Sequence, residues 1–412
     1  MKFNHWTMGL AAAGWVTLPG VARAEEQGNQ LWTAVSTTTL SGYVNTSMHW
    51  NPGTGNGHVP NYFYNTPGKQ DGFNLNVVDL TLERALDDAT WSAGYKAQLW
   101  FGPDASSFGS TIDSGGNDSS AAAVRQAYVA LRAPVGNGLD FKVGVFDGLL
   151  GYESHDAGRN PNYTRSYGTS LAPHSHTGVQ VSYEFSSWLS AAAAVGNTVS
   201  PIINSKAHAP FEPNAPKAES FKAYSGLVAL SAPEDWGFLA GSALYGGVLN
   251  GYSNNADWDQ TTWYAGVTVN TPLPSLRLGG SYSYLGTTDF NAGNDDYANA
   301  LALYASFQVT DKLSLHGRAE YAWSSTGLFD GTLDVDNGNS EVFALTGTLQ
   351  YDLWRNVISR VEVRWDHQAG DGGMSGYGGD PLGVGGGGNG GPASNSNLRN
   401  SVLIAANIIY QF

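Results

Sequence analysis

The stretch Ser401-Val402-Leu403-Ile404-Ala405-Ala406-Asn407-Ile408-Ile409-Tyr410-Gln411-Phe412 alternates along its length. Val402, Ile404, Ala406, Ile408, Tyr410 and Phe412 share one face, while Ser401, Asn407 and Gln411 fall on the other. Successive side chains of a strand point to opposite sides of the sheet, so this reads as a strand with one apolar side. Two upstream segments repeat the pattern with full charges on the second face. In 356–368, Val357, Val361, Val363 and Trp365 oppose Arg360, Glu362, Arg364 and Asp366. In 312–324, Leu313, Leu315, Ala319, Tyr321 and Trp323 oppose Lys312, His316, Arg318 and Glu320. A soluble sandwich can show such a strand once, with its charges in bulk water. Its recurrence suits a closed sheet with lipid outside and water inside.

Working outward, the same reading predicts sixteen strands. They cover 38–49, 73–84, 89–101, 123–133, 138–147, 174–185, 188–199, 220–231, 235–248, 260–271, 274–285, 297–309, 312–324, 340–352, 356–368 and 399–412. The connections alternate short and long. Short ones include Asp87-Asp88, 134–137, Ser186-Ser187, Pro233-Glu234, 271–273, Thr310-Asp311 and 353–355, several with Asn, Asp, Gly or Pro turn chemistry. Long ones lie near 50–72, 102–122, 148–173, 200–219, 249–259, 286–296, 325–339 and 369–398. Short periplasmic turns and long external loops produce this asymmetry. An even count returns the chain to its starting side, where the last strand closes on the first, because an open sheet edge cannot lie in hydrocarbon. The expected fold is an all-β, transmembrane, antiparallel barrel over 38–412. Two aromatic girdles are expected, with Trp50, Trp100, Phe101, Trp323 and Trp365 at one level. Trp91, Trp188, Trp236, Trp354, Tyr410 and Phe412 belong to the other.

The N-terminus reads as a secretory signal over 1–24. Lys2 supplies the positive start, an apolar stretch follows, and Ala22-Arg23-Ala24 has the small-x-small form of a cleavage site. Residues 25–37 read as a short periplasmic lead-in. No apolar run approaches the length of a membrane helix, which says nothing against a barrel. The chain has no cysteine, which excludes disulfide and thiolate chemistry.

Several segments resemble the OmpL-like β-barrel porin family. They are Leu75-Asn76-Val77-Val78-Asp79-Leu80-Thr81-Leu82-Glu83, Tyr95-Lys96-Ala97-Gln98-Leu99-Trp100-Phe101-Gly102-Pro103-Asp104 and Val124-Arg125-Gln126-Ala127-Tyr128-Val129. Leu139-Asp140-Phe141-Lys142-Val143-Gly144 and Asn160-Pro161-Asn162-Tyr163-Thr164-Arg165-Ser166-Tyr167 continue the resemblance. It implies an outer-membrane barrel of a Gram-negative-type bacterium, in contact with lipid and lipopolysaccharide, with a pore role. It supplies no catalytic residues and names no solute.

By analogy with sixteen-stranded porins, the third long connection, 148–173, is expected to fold into the lumen and narrow it. It carries Tyr152, Glu153, His155, Asp156, Arg159, Tyr163, Arg165 and Tyr167. Facing strands could add Lys96, Arg125 and Arg132, together with Arg84 and Lys142. Fixed charges of both signs across a narrow wet pore select by size, dipole and charge. The competing reading is that Glu153, Asp156, Arg159 and Arg165 pair merely to hold the loop. The formal charge of −15, with acid in connections such as Asp295-Asp296 and Asp334-Val335-Asp336, predicts mild cation preference.

The expected function is passive diffusion of small hydrophilic solutes. A sugar- or peptide-selective channel with tyrosine sliding surfaces, or a structural or adhesive surface barrel, is the alternative. A homotrimer is expected by fold analogy alone. No enzyme motif, cofactor cradle or metal set stands out. Asp334–Asn339 lacks the Glu spacing of a calcium loop, and His174 with His176 lack a clear third ligand. The acidic balance argues against nucleic acid as a partner.

Overall fold

The computed structural model describes residues 38–55, 60, 69–108, 122–207, 221–254, 258–289, 295–325, 329, 340–369, 377 and 398–412. The signal and lead-in over 1–37, the acidic stretch 330–339 and the glycine run 383–390 lie outside them. The strands are β1 (Thr39–Trp50), β2 (Gly72–Arg84), β3 (Ser92–Phe101), β4 (Ala122–Ala133), β5 (Leu139–Asp147), β6 (Ser175–Ser186), β7 (Leu189–Gly196) and β8 (Ala223–Ser231). They continue as β9 (Ala243–Tyr252), β10 (Trp258–Asn270), β11 (Leu276–Asp289), β12 (Asp295–Gln308), β13 (Leu313–Ser324), β14 (Ser340–Trp354), β15 (Val357–Gln368) and β16 (Asn400–Gln411). One short helix, α1 (Pro103–Phe108), follows β3.

Each strand pairs antiparallel with its sequence neighbours, and β16 pairs with β1 to close the barrel. The seam runs from Tyr43 opposite Gln411 to Trp50 opposite Ile404. Gly42 and Phe412 then exchange both backbone hydrogen bonds at 3.0 Å. The terminal phenylalanine is thus the last rung of the closure. The β14–β15 hairpin turns at Arg355 and Asn356. Asn356 has φ of 67°, a left-handed conformation that Asn tolerates better than most residues.

Alternation sorts the side chains as the sequence demands. On β15, Val361 and Val363 face outward, while Arg360, Glu362, Arg364 and Asp366 are buried inside. On β16, Ile408 and Tyr410 face outward, and Leu403, Ala405 and Ile409 face in. Leu303, 57% exposed on the outside of β12, stands between Gly280 and Ala319. Leu303→Arg puts a charge on the lipid face at a calculated penalty of about 2–4 kcal/mol if it lies near the midplane. A lower denaturant midpoint in lipid vesicles is the expected result. An unchanged midpoint would place the residue in water.

Several expectations need correction, among them two strand starts and one aromatic. The ninth strand starts at Ala243, not 235, because Glu234–Leu239 forms a 3-10 turn. Pro233 and Gly237, the latter at φ 60°, favour a turn over an extended run. The third strand starts at Ser92, not 89. Asp87 organises the turn before it, accepting a bond from the Ala89 N–H while its own N–H donates to Ser92 Oγ. Trp100 does not belong to a girdle: it is 1% exposed and donates from Nε1 to Asp79 Oδ2 at 2.6 Å. Trp50, Phe101, Trp91, Trp188, Trp236, Trp354, Tyr410 and Phe412 are exposed.

The apolar core lies between the barrel wall and the 148–173 connection. Leu150 and Tyr152 pack on Leu227, Tyr245, Leu249, Tyr264 and Tyr304. Tyr163, Tyr167 and Leu171 pack on an alanine-rich wall that includes Ala298, Ala300, Ala322, Ala344 and Ala405. Small inward residues on β12–β16 make room for the loop. Gly247 does the same on β9, since a Cβ there would meet Leu150 Cδ2 at 2.5 Å.

Candidate pore constriction

The connection 148–173 leaves β5 and returns to β6 at one place, where the Gly148 N–H donates to the His174 carbonyl at 3.1 Å. Between those points it crosses the lumen. Irregular backbone inside a barrel still needs partners for its N–H and C=O groups. The far wall supplies them by charge. Glu362 accepts the N–H groups of Tyr163 at 2.6 Å and Thr164 at 2.9 Å. Glu320 accepts the Tyr167 N–H at 2.8 Å. Arg318 donates to the carbonyls of Thr164 at 2.8 Å and Arg165 at 3.1 Å. Arg364 reaches the Arg165 carbonyl at 2.6 Å, and Arg360 reaches those of Ala157 at 3.1 Å and Asn160 at 2.6 Å. Carboxylates take the loop's donors and guanidiniums take its acceptors, in hydrogen bonds strengthened by charge.

The charges of this seat also pair with one another. Arg318 lies 2.9 Å from Glu153 and 2.6 Å from Glu320, and Arg364 lies 2.9 Å from Asp366. All five side chains are at most 2% exposed. Desolvating such a network offsets much of its attraction, so its main effect here is to fix one loop position. Burial works to raise the Glu153 carboxyl, but Arg318, Arg165 and the Ser166 N–H outweigh it and hold it below the usual carboxylate range. Its contribution is therefore full above the ordinary range and is lost as pH falls through the lowered value. His155 and His174 bond each other at 3.1 Å at the loop base. Burial, together with Arg125, pushes His174 down to about 3 and His155 well below its ordinary value, so both are neutral at pH 7.

The residues expected to line the pore separate into three groups. Tyr152, Glu153, Tyr163, Arg165 and Tyr167 are buried where the loop meets the barrel wall. Tyr152 stacks on Tyr304 at 4.4 Å. The Tyr163 hydroxyl shares a bond with His49 at 2.7 Å, and the Tyr167 hydroxyl donates to Asp366 at 2.8 Å. Arg165 donates to the Tyr163 and His155 carbonyls. A second group stays in contact with water. Arg159 is 48% exposed and lies 3.4 Å from Asp156, which is 22% exposed. Lys96, 14% exposed, faces Glu83 at 3.8 Å. The third group, Arg125 and Arg132, is committed to neighbouring acids. Arg125 is buried 2.7 Å from Asp147 and stands over the Trp100 ring. Arg132 forks onto Asp140 at 2.7 and 2.8 Å beside the short β4–β5 turn.

The wall residues that seat the loop, Arg318, Glu320, Arg360, Glu362, Arg364 and Asp366, are visible in the sequence only as charged strand faces. A signal was available: an acid follows an arginine two residues on, three times, always on the inner face. His174 also bonds His155, while His176 packs against Phe146.

A closed sixteen-stranded sheet, apolar outside and charged inside, with a long connection folded into its lumen, is the architecture of an outer-membrane porin. The chain belongs to the family described as "Putative beta-barrel porin-2, OmpL-like", whose model matches residues 37–412. It is a porin of the Gram-negative outer membrane. Solved structures agree in fold. An anion-selective porin from Comamonas acidovorans is 12% identical, covers 91% of this chain and 99% of its own, and has a TM-score of 0.57. OmpF of Salmonella typhi is 11% identical over 93% of this chain and 100% of its own, with a TM-score of 0.56. OmpT of Vibrio cholerae is 13% identical over the same shares, with a TM-score of 0.55. At these identities the likeness concerns the fold alone. No curated protein matches the chain in sequence.

Proposed function

We propose that this porin passes small hydrophilic solutes by passive diffusion through a lumen narrowed by the 148–173 connection, and catalyses no reaction. One observation carries the reading. The loop is fastened to β13 and β15 by buried charges, while Arg159, Asp156, Lys96 and Glu83 keep access to water beside β2 and β3. A fixed narrowing flanked by charges of both signs sorts solutes by size and charge without a binding cycle. Purified protein is expected to swell liposomes in small sugars and amino acids. Absence of both swelling and single channels would overturn the proposal.

Tyr152, Tyr245, Tyr264 and Tyr304 are buried under the loop, so these four offer no stacking surface to a sugar. The two loop arginines should separate in experiment. Arg159→Ala is expected to change the ion permeability ratio by about twofold, as loss of one partly screened charge allows, with barrel stability unchanged. Arg165→Ala removes bonds inside the loop and is expected to broaden the conductance distribution instead. Equal effects of the two on permeability ratio would count against Arg159 as a lining residue. Cleavage after Ala24 and a periplasmic lead-in over 25–37 complete the proposal, as does a homotrimer in contact with lipid and lipopolysaccharide. Vibrio cholerae OmpT is described in a trimer form. Light scattering of the detergent-solubilised protein tests the assembly.

A further inference from the structure

The inner wall of β2–β6 and the connection between β5 and β6 distribute their charges unevenly. Arg125 has Asp147 at 2.7 Å, Arg132 has Asp140 at 2.7 Å, Arg159 has Asp156 at 3.4 Å and Lys96 has Glu83 at 3.8 Å. Two further acids face inward: Asp79, 2% exposed, accepts bonds from Gln98, Trp100 and Thr81, and Glu184 stands near the end of β6, beyond Ser182. Lys142 is the exception. Among the described residues no carboxylate lies within ion-pair distance of it, and its ammonium stands 5.0 Å over the Tyr128 ring.

The barrel register explains the placement. Lys142 sits opposite Ala130 on β4 and Gln180 on β6, and Lys96 sits opposite Tyr128. Two lysines therefore converge on one tyrosine from β3 and β5. The next inward positions on β6 and β7, Ser182, Ala192 and Ala194, carry no charge. Lys142 is itself half-buried, and Asp147, Glu83 and Asp140 stand beyond ion-pair distance of it, each paired with another cation. A lysine held beside another cation, with an aromatic face as its close contact, has donors left for a mobile anion.

We propose that Lys142, assisted by Lys96, is a resting point for small oxyanions crossing the lumen, a carboxylate or a phosphate, and that the pore prefers anions despite its formal charge of −15. The inference rests on the diffusion-pore reading and deepens it. It runs against the cation preference expected from net charge, because an ion in the lumen responds to the charges nearest it more than to acid spread over outer connections. At a few ångströms, one unit charge in water changes the local concentration of a monovalent ion by about threefold.

The test uses the full-length barrel in planar bilayers under a potassium chloride gradient, followed by titration with acetate and, separately, inorganic phosphate. The wild type is expected to show an anion-side reversal potential and a saturable loss of chloride current with at least one oxyanion. Lys142→Gln is expected to lower the chloride-to-potassium permeability ratio about threefold and abolish the saturation. Lys142→Glu should carry the ratio to the cation side, whereas Lys312→Gln, in a short turn, should leave it unchanged. Saturation by acetate alone assigns the site to carboxylates, and by phosphate alone to phosphates. A cation-preferring wild type overturns the proposal even if no variant folds. So does a Lys142→Gln channel of unaltered ratio and saturation. A complete lack of channels in every preparation instead defeats the diffusion-pore reading beneath it.

Discussion

A chain ending at Arg399 forms no barrel. Without β16, β1 loses its partners from Tyr43 to Trp50, and β15 loses its partners from Val357 to His367. Both strands then present open edges at membrane depth. Each backbone group left without a partner in hydrocarbon costs several kcal/mol. Several such groups exceed the roughly 5–15 kcal/mol that separates a typical folded domain from its unfolded chain. The inner face loses Leu403, Ala405 and Ile409 as well, which pack against the loop and against Ile358 and Ala157. The truncated protein is expected to lack heat-modifiable mobility on gels and to be digested in membranes. A protease-resistant, heat-modifiable species would show that β1 and β15 can close without it.

Replacing Arg318 by Leu should have the opposite character, freeing the loop and sparing the barrel. The Arg318 side chain donates to Glu153, Glu320, the Thr164 hydroxyl and two loop carbonyls. Leucine leaves two buried carboxylates and two buried carbonyls short of a donor. Removing one partner from a buried ion pair costs about 3–5 kcal/mol. None of that falls on the β13 ladder, whose bonds to β12 and β14 are made by backbone. The expected results are protease cuts within 148–173, larger and noisier single-channel conductance, and a barrel that still shows its heat shift. Adding Glu153→Leu removes one of the stranded charges and should recover part of the loss, since the two residues are directly coupled. Conductance and loop protection equal to wild type would mean that the buried charges do not hold the loop.

Strand count and sidedness were legible because their signals are local. The faces of 312–324, 356–368 and 401–412 follow from alternation within each segment. The errors were local as well. Trp100 alternates onto the inner face with Lys96 and Gln98, whereas its position near a strand end suggests a membrane aromatic. Trp236 and Phe238 suit a strand by residue type, but the 3-10 turn at Glu234–Leu239 exposes both ahead of the ninth strand. The candidate site was legible as a segment but not residue by residue. Tyr163 and Glu362 are 199 positions apart, and Tyr167 and Glu320 are 153 apart. No pattern within either segment names the other.

The alternation that ends at Phe412 determines a closed, sixteen-stranded wall with apolar residues outside, because side-chain period and turn length are properties of neighbouring residues. Closure alone decides which charges meet. It brings β12–β16, β1 and β2 around one axis, where Arg318, Glu320, Glu362 and Arg364 take up the backbone of 148–173. Within the loop, Tyr152, Glu153, Tyr163, Arg165 and Tyr167 turn to the wall and are buried there. Arg159, Asp156 and Lys96 retain contact with water, and among the described residues no carboxylate stands within ion-pair distance of Lys142, whose close contact is the Tyr128 ring.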